Sequence, residues 1–417
     1  MRLLKTTLAV ATAAASLATA TTAMANTTVE FWTFRPQEEA LWNRVNQENL
    51  IPGVTVNFNR ISNDDYEARL RIALQRGGPD IFSGKVGAQW LAQFIAADAI
   101  VSMEELGVDL SNILPGALAG GQAADGQFYG VPFAVQLQSI IYNTDAFESL
   151  GLAHPTNIDE FEALLRAADA AGMEGLAVAG QAGWYLNQVF NEVIMAGLVA
   201  DADQQAFVDG TKCFTDPVFV SALERVASWG PYMSANPTAT NYDPMRTAVA
   251  SGDALMMIDG AWSTGPASPM YEINPDFYPG FMAVPGVNGK VVAHPDGAYL
   301  ANARSEKLDA VRQVLEFTTT ETFGQLFLEE VTEPTAVQGE FVVENDITNA
   351  VMAALANAAS IEPFIQPALN ADTPNYGELI AQQMQRLLAG NATAAEAAAA
   401  VQAGLNSWGY VGAANCR

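Results

Sequence analysis

Few residues of this chain are arranged to do covalent or metal chemistry. It has 417 residues, with two histidines, His154 and His294, and two cysteines. No His/Cys/Asp cluster stands at metal-ligand spacing, which predicts neither a zinc nor a haem site. There is no G-x-S-x-G nucleophile elbow and no H-E-x-x-H, and Gly84-Lys85 lacks the rest of a phosphate-binding loop. We therefore expect no catalytic residue, no metal and no cofactor.

Carboxylates are the one reactive group in excess. Asp and Glu number 46 against 19 Lys and Arg, giving a net charge of −27. Such a surface repels phosphate backbones and anionic lipids, which excludes nucleic acid as a partner. A solvation layer explains the charge, and capture of a cation such as a polyamine is the functional alternative. Two carboxylates in a cleft can also hydrolyse glycosides, so a secreted hydrolase or lyase stays open.

The first 25 residues have the form of a secretory signal peptide. A basic start with Arg2 and Lys5 precedes an apolar stretch over 8–20, and Ala23-Met-Ala25 suits signal peptidase. The pattern predicts cleavage after Ala25 and export to the periplasm. No cysteine near this point could carry a lipid, and the apolar stretch is too short for a permanent anchor, so we expect no direct membrane anchor.

Cys213 and Cys416 are the only cysteines. In an oxidising compartment a lone pair is more consistent with a disulfide than with a metal or redox site. The sequence therefore predicts a Cys213–Cys416 disulfide.

The elements that must position any site alternate between strand and helix. Strand patterns at 29–32, 54–58 and 80–82 are separated by helix patterns, the second over 64–76, which predicts a parallel α/β lobe. The same alternation continues through 139–142 and 254–258. Helices dominate at the end, over 306–319, 346–359, 375–389 and 393–406. The length exceeds what one core normally supports, so we expect two lobes.

Several segments, taken in order, resemble the extracellular solute-binding proteins of ABC sugar importers (family 1, maltose-binding-protein-like). The resemblance rests on the order and spacing of these segments, which extend over nearly the whole chain after the signal. The matching segments are Val29-Glu-Phe-Trp-Thr33, Gly78-Pro-Asp-Ile-Phe82, Gly126-Gln-Phe-Tyr-Gly-Val-Pro132 with Ile141-Tyr-Asn143, and Ser251-Gly-Asp-Ala-Leu-Met-Met-Ile-Asp-Gly-Ala-Trp262.

The resemblance implies an α/β fold of the two-lobed periplasmic binding protein type, with discontinuous lobes joined by hinge strands. Lobe one would comprise 26–133 and 286–332, and lobe two 134–285 and 333–417. The chain would cross between the lobes near 132–138, 281–285 and 331–337. Both cysteines fall in lobe two, where a disulfide would leave hinge closure free.

The resemblance also indicates where a sugar would bind. Sugars combine hydroxyls with apolar C–H faces, so a site needs flat aromatic rings and planar polar groups. For each candidate the alternative is core packing, a surface ion pair, a loop position or, for Asp259, a helix cap. The candidates at the matching cleft positions are Phe34, Arg35, Lys85, Gln136, Trp184, Tyr185, Asp259, Trp262 and Tyr376.

We predict a periplasmic binding component of an ABC importer rather than an enzyme. As a monomer, it would close two lobes over a mono- or oligosaccharide and deliver it to the permease transmembrane subunits. The alternatives are the same fold binding a polyamine, an amino acid or another small solute, and the hydrolase or lyase noted above. Arg35 and Lys85 leave both a neutral and an acidic sugar open, and a sensor role is not separable from transport.

Overall fold

The computed structural model describes residues 26–85, 88–265, 268–287, 291–356 and 369–416. The predicted signal peptide and its cleavage site lie before the first of these ranges. Across these ranges, no helix has both the length and the apolar character needed to cross a membrane.

Within the described ranges, ten strands form two mixed sheets. The first sheet has the order β2-β1-β3-β10-β4, and the second has the order β6-β7-β5-β8, with β9 pairing to β5. The strands are β1 (Thr27–Thr33), β2 (Val54–Arg60), β3 (Ile81–Gly84), β4 (Gly130–Pro132), β5 (Val135–Asn143), β6 (Glu174–Ala177), β7 (Ala254–Gly260), β8 (Pro279–Met282), β9 (Val292–Pro295) and β10 (Ala298–Ala301).

The first sheet contains the parallel unit that the sequence predicts. Phe31 of β1 is in register with Phe58 of β2 and Ile81 of β3, and both pairings are parallel. β10 enters antiparallel between β3 and β4. The carboxyl ends of β1 and β3 therefore lie side by side at one edge, which is where parallel sheets place their binding groups.

The second sheet is built around β5, which joins the two layers. The first half of β5 pairs with β9, with Gln136 opposite His294. Its second half pairs antiparallel with β7 and β8, and Ser139 lies opposite Asp259. All nine residues of β5 are buried, so this strand passes through the interior from one sheet to the next.

Helices cover both sheets. They are α1 (Glu39–Gln47), α2 (Asn63–Leu74), α3 (Ala88–Ile95), α4 (Met103–Leu106), α5 (Thr144–Ser149), α6 (Ile158–Ala170), α7 (Gly183–Tyr185), α8 (Asn191–Leu198), α9 (Asp201–Val208), α10 (Pro217–Ser228), α11 (Tyr242–Ser251), α12 (Met270–Ile273), α13 (Leu308–Phe317), α14 (Glu321–Glu330), α15 (Asp346–Ala356), α16 (Tyr376–Leu388) and α17 (Ala394–Trp408), with a π-helical turn at Leu186–Phe190.

Short polar side chains cap several helix starts. Asn143 caps α5 by accepting from the Ala146 amide. Asn157 accepts from the Glu160 amide at the start of α6, and Thr393 forms a complete capping box with Glu396. Each cap satisfies an N–H that has no partner within its helix.

The two largest hydrophobic cores of the described residues lie one in each lobe. The core of lobe one packs β1, β2 and β10 against α1, α13 and α14. The core of lobe two packs β5, β6 and β7 against α6, α8, α10, α16 and α17. The predicted disulfide is confirmed: Cys213 and Cys416, 203 residues apart in sequence, have Cα atoms at 5.3 Å. It ties the C-terminal end of the chain to lobe two.

The segment after α14 makes contacts with lobe one beyond residue 333, the boundary that the resemblance predicts. The Gln338 amide donates to the Ser111 and Ile113 carbonyls of lobe one. The backbone N–H of Val342 donates to Gln325 of α14, whereas α15 contacts β5 and β8. The lobe limits remain a prediction.

Candidate functional site

Two of the predicted residues lie together where β1 and β3 end. Phe34 is half-buried and packs edge-on against Tyr66, with ring centroids 5.2 Å apart. The Lys85 ammonium lies over the Phe34 ring at 5.4 Å. The two strand ends are joined below them, because the Ser83 hydroxyl donates to Thr33 Oγ1 at 2.9 Å. This edge therefore offers one aromatic ring and one cation.

Arg35, predicted as a ligand contact, is instead enclosed by acids. It is 4% exposed, and its guanidinium stacks on Phe133 at 4.6 Å. Three carboxylates bind its three nitrogens: Glu38 at Nε and Glu333 at Nη2, both at 2.5 Å, and Asp296 at Nη1. We call Arg35 with these three acids the arginine centre. Its guanidinium is fully engaged inside the protein.

Gln136 joins the arginine centre from the crossing strand β5. Its Nε2 donates to Asp296 Oδ2 at 2.7 Å and to Glu333 Oε2 at 2.8 Å, the same two oxygens that Arg35 holds. Gln136 is 1% exposed, and no partner is found for its Oε1 among the described residues. The structure thus brings the two candidates Arg35 and Gln136 together and buries both.

The arginine centre carries more negative than positive charge. Burial raises the pKa of Glu38 to about 7, with Arg35 acting in the opposite direction. Two residues further along β5, Gln138 is also buried, and its Nε2 lies 3.0 Å from His294 Nε2. Burial lowers the pKa of His294, so a neutral ring accepts from Gln138 and donates from Nδ1 to the Pro295 carbonyl.

On lobe two the carboxyl end of β7 carries Asp259 and Trp262. Asp259 is fully buried and accepts from the Gly260 amide at 2.8 Å and from Ser263 Oγ at 2.5 Å. Burial raises its pKa to about 6. The half-buried Trp262 ring lies over Gly260, where a Cβ would come within 2.0 Å of it. Glycine at position 260 is therefore required for this ring orientation.

Tyr242, which the sequence analysis did not select, links these residues. Its hydroxyl donates to Asp259, with oxygen distances of 2.8 and 2.9 Å, and accepts from Trp262 Nε1 at 2.6 Å. Trp184 lies edge-on to Tyr242 with ring centroids 4.9 Å apart and is 40% exposed. We call Trp184, Tyr242 and Trp262 the lobe-two platform. The only sequence signal for Tyr242 is its place at the start of α11.

The other two aromatic candidates are buried. Tyr185 is completely buried beside Tyr242, with ring centroids 6.2 Å apart, so Trp184 is the exposed member of the predicted pair. Tyr376 is also completely buried, where it packs on Phe214 at 5.3 Å and its hydroxyl contacts Asn191. In this structure neither ring offers surface to a ligand, and both support the lobe-two core.

The buried acids of both lobes are held by hydrogen bonds within the protein. Across the described ranges, no group of three or more His, Cys, Asp and Glu could hold a metal ion. Glu38, Glu333 and Asp259 are all fully or almost fully buried and hydrogen-bonded within the protein. Two α/β lobes joined by a buried crossing strand, each with aromatic and polar groups at its strand ends, define the class of two-lobed binding proteins.

Comparison with known proteins gives the family. Residues 35–323 match the bacterial extracellular solute-binding protein family, and the chain belongs to it. It is 25% identical over 224 residues to the multiple sugar-binding protein of Streptococcus mutans, covering 51% of this chain and 52% of that protein. It is 23% identical over 241 residues to a probable sugar-binding periplasmic protein of Mesorhizobium japonicum, covering 57% of each. The chain thus spans about half the length of the curated relatives it matches.

Solved structures show the same fold over almost the full length. A chitin oligosaccharide binding protein superposes with a TM-score of 0.72 at 21% identity, covering 91% of this chain and 98% of that one. RafE in complex with raffinose superposes with a TM-score of 0.73 at 20% identity, covering 92% and 99%. These likenesses confirm the predicted two-lobed α/β fold.

Proposed function

We propose that this protein captures a mono- or oligosaccharide between its two lobes and delivers it to the membrane subunits of an ABC permease. The observation that carries the proposal is the lobe-two platform. Trp184 is 40% exposed and Trp262 is half-buried, so both present ring surface. Tyr242 supports them, because its hydroxyl binds Trp262, its ring packs against Trp184 and the Arg246 guanidinium covers that ring at 4.4 Å. Such a surface suits the apolar C–H face of a sugar ring.

The facing edge of lobe one would complete the site. Phe34 adds a further aromatic ring, and Lys85 lies over it. Because Arg35 is enclosed by three carboxylates, we assign it no direct role in binding an acidic sugar. Family membership and the sugar-binding relatives support a carbohydrate over a polyamine or an amino acid.

The proposal also covers where the protein acts and how the ligand changes it. We infer a periplasmic monomer, cleaved after Ala25, whose ligand stabilises the closed arrangement that the permease recognises. We infer no catalytic activity, since the family and its solved relatives are binding proteins. Prolonged incubation with an oligosaccharide should return it unchanged by mass spectrometry, and released products would overturn this part.

The direct test is a thermal-shift screen of ligand-stripped mature protein. The panel contains neutral mono- and oligosaccharides, including raffinose and chitin oligosaccharides, together with uronides, polyamines and amino acids. A ligand of the folded state stabilises by about 2.7 kcal/mol when present at a hundred times its Kd. A clear rise with one sugar series supports the proposal, and a rise only with polyamines or amino acids refutes it.

Two matched variants connect binding to the platform. Trp184→Ala removes a 40% exposed aromatic ring of the platform, and Tyr278→Ala removes a 41% exposed ring elsewhere on lobe two. Loss of one stacking ring should weaken sugar binding about tenfold by isothermal titration, and only in Trp184→Ala. Equal effects of the two variants would show that the platform is not the binding surface.

A further inference from the structure

Three chain segments run side by side where the lobes join. β5 pairs with β9, so that Gln136 lies opposite His294. On the other side the Val135 amide donates to the Pro334 carbonyl at 2.9 Å, and the Ala336 amide donates to the Phe133 carbonyl at 3.0 Å. Any rotation of one lobe against the other has to twist or slide these segments.

One side chain at this place binds across to the arginine centre. The Gln136 amide shares Asp296 Oδ2 and Glu333 Oε2 with Arg35. Asp296 directly follows β9, and Glu333 directly precedes the segment paired with β5. The arginine centre and Gln136 therefore connect β1, β5, β9 and the segment after α14 through one set of charge-assisted hydrogen bonds.

The burial of this set argues against contact with a ligand. Arg35 and Gln136 are 4% and 1% exposed, and all the nitrogens of both side chains already donate to carboxylates. A buried ionic set adds little net stability compared with apolar packing, but its bonds are directional and favour one arrangement of the groups. An apolar contact at the same place would allow the strands to slide.

We propose that Arg35 and Gln136 are positioning residues that set the relative orientation of the two lobes in the ligand-free protein. This rests on the lobe closure in the proposed function, but it assigns these residues to the hinge instead of to the sugar. Gln136 is the movable link, because its bonds to Asp296 and Glu333 are the side-chain connection between the crossing strand and the lobe-one centre. Arg35 holds the two acceptors in place for it.

The test measures the inter-lobe distance without any ligand. Spin labels attached to keto amino acids at Ala40 in α1 and Ala227 in α10, both exposed, report the distance between the lobes by pulsed electron paramagnetic resonance. This chemistry leaves the disulfide intact. Gln136→Met keeps the side-chain length but removes the amide, while Arg35 still pairs with the three acids. Gln122→Met is the matched control, because the Gln122 side-chain amide donates to the nearby Gly126 carbonyl in lobe one.

We expect Gln136→Met to broaden the ligand-free distance distribution at least about twofold or to shift its mean, because a weaker link populates more lobe orientations. Gln122→Met should match the wild type. Glu333→Gln provides a second test should Gln136→Met fold poorly, since it replaces one of the two acceptors at equal volume. Leu165→Ala, which loosens only the lobe-two core, should leave the distance unchanged and separates positioning from loss of stability.

Distance distributions identical to the wild type in both hinge variants would overturn the inference. This result is independent of the sugar screen. Failure of every sugar to bind would refute the proposed function without changing the ligand-free distances, and unchanged distances would refute the hinge role while leaving sugar binding intact.

Discussion

Replacing Tyr242 with phenylalanine should destabilise the protein in a pH-dependent manner. The Tyr242 hydroxyl is one of three donors to the buried Asp259 carboxylate, with Ser263 and the Gly260 amide as the others. It also accepts from Trp262 Nε1 at 2.6 Å. The substitution removes both hydrogen bonds but keeps the ring.

The magnitude depends on the charge of Asp259. A hydrogen bond to a charged group contributes about 1.5–3 kcal/mol, and a neutral one about 1 kcal/mol. Burial raises the pKa of Asp259 from 3.8 to about 6, so the carboxylate is charged at pH 8 and largely protonated at pH 5. Loss of the Trp262 bond adds about 0.5–1 kcal/mol at either pH. We expect a loss of about 3 kcal/mol at pH 8 and about 1.5–2 kcal/mol at pH 5.

The direction follows from proton linkage. Removing a donor raises the folded-state pKa of Asp259 further above its unfolded value, so the variant binds more protons when folded than the wild type does. Its stability relative to the wild type therefore falls as the pH rises through about 6. Reversible urea unfolding followed by circular dichroism at pH 5 and pH 8 measures this difference.

Tyr278→Phe, which removes a hydroxyl from an exposed tyrosine of the same lobe, is the control and should change the free energy of unfolding by less than about 0.5 kcal/mol. The reasoning is refuted if Tyr242→Phe loses equal stability at both pH values, or more at pH 5. In the double variant with Asp259→Asn, the pH dependence of the Tyr242→Phe effect should disappear.

Three further results are expected. Gly260→Ala should displace the Trp262 ring, because a Cβ would come within 2.0 Å of it. Sugar binding measured by isothermal titration should then weaken about tenfold. Unchanged affinity would show that the orientation of this ring is unimportant for binding. Burial raises the pKa of Glu38 from 4.5 to about 7, so its contribution to stability falls as the pH rises from 4.5 to 7. Glu38→Gln should therefore reduce the change in the free energy of urea unfolding between these pH values by about 1–3 kcal/mol. A pH dependence equal to that of the wild type would contradict this. Cys213→Ser with Cys416→Ser opens a loop spanning 203 residues and should lower the free energy of unfolding by up to about 5 kcal/mol, while an altered sugar affinity would argue against a purely structural bond.

Two kinds of feature could be predicted from the sequence: those that depend on neighbouring residues, and those for which the composition leaves one possibility. The parallel β1-β2-β3 unit follows from strand and helix periodicity, and the pairing of Cys213 with Cys416 follows from there being no other cysteine. The aromatic residues at strand ends were also visible, as in Asp259-Gly-Ala-Trp262.

Tertiary structure decided what surrounds each side chain. Arg35 resembles a ligand-binding cation in sequence, but Glu333, 298 residues away, and Asp296, 261 residues away, enclose it. Tyr376 starts a helix with a complete capping box, yet packing on Phe214 buries it fully.

The sequence by itself determined that the chain has a secretory signal pattern, alternates strands with helices and lacks any metal or nucleophile motif. It also determined the class of binding protein, because family segments are local and ordered. Only the tertiary structure decided which polar residues face one another. Burial and charge pairing arise from contacts between distant segments, so the arginine centre and the role of Tyr242 could not be read from residue spacing.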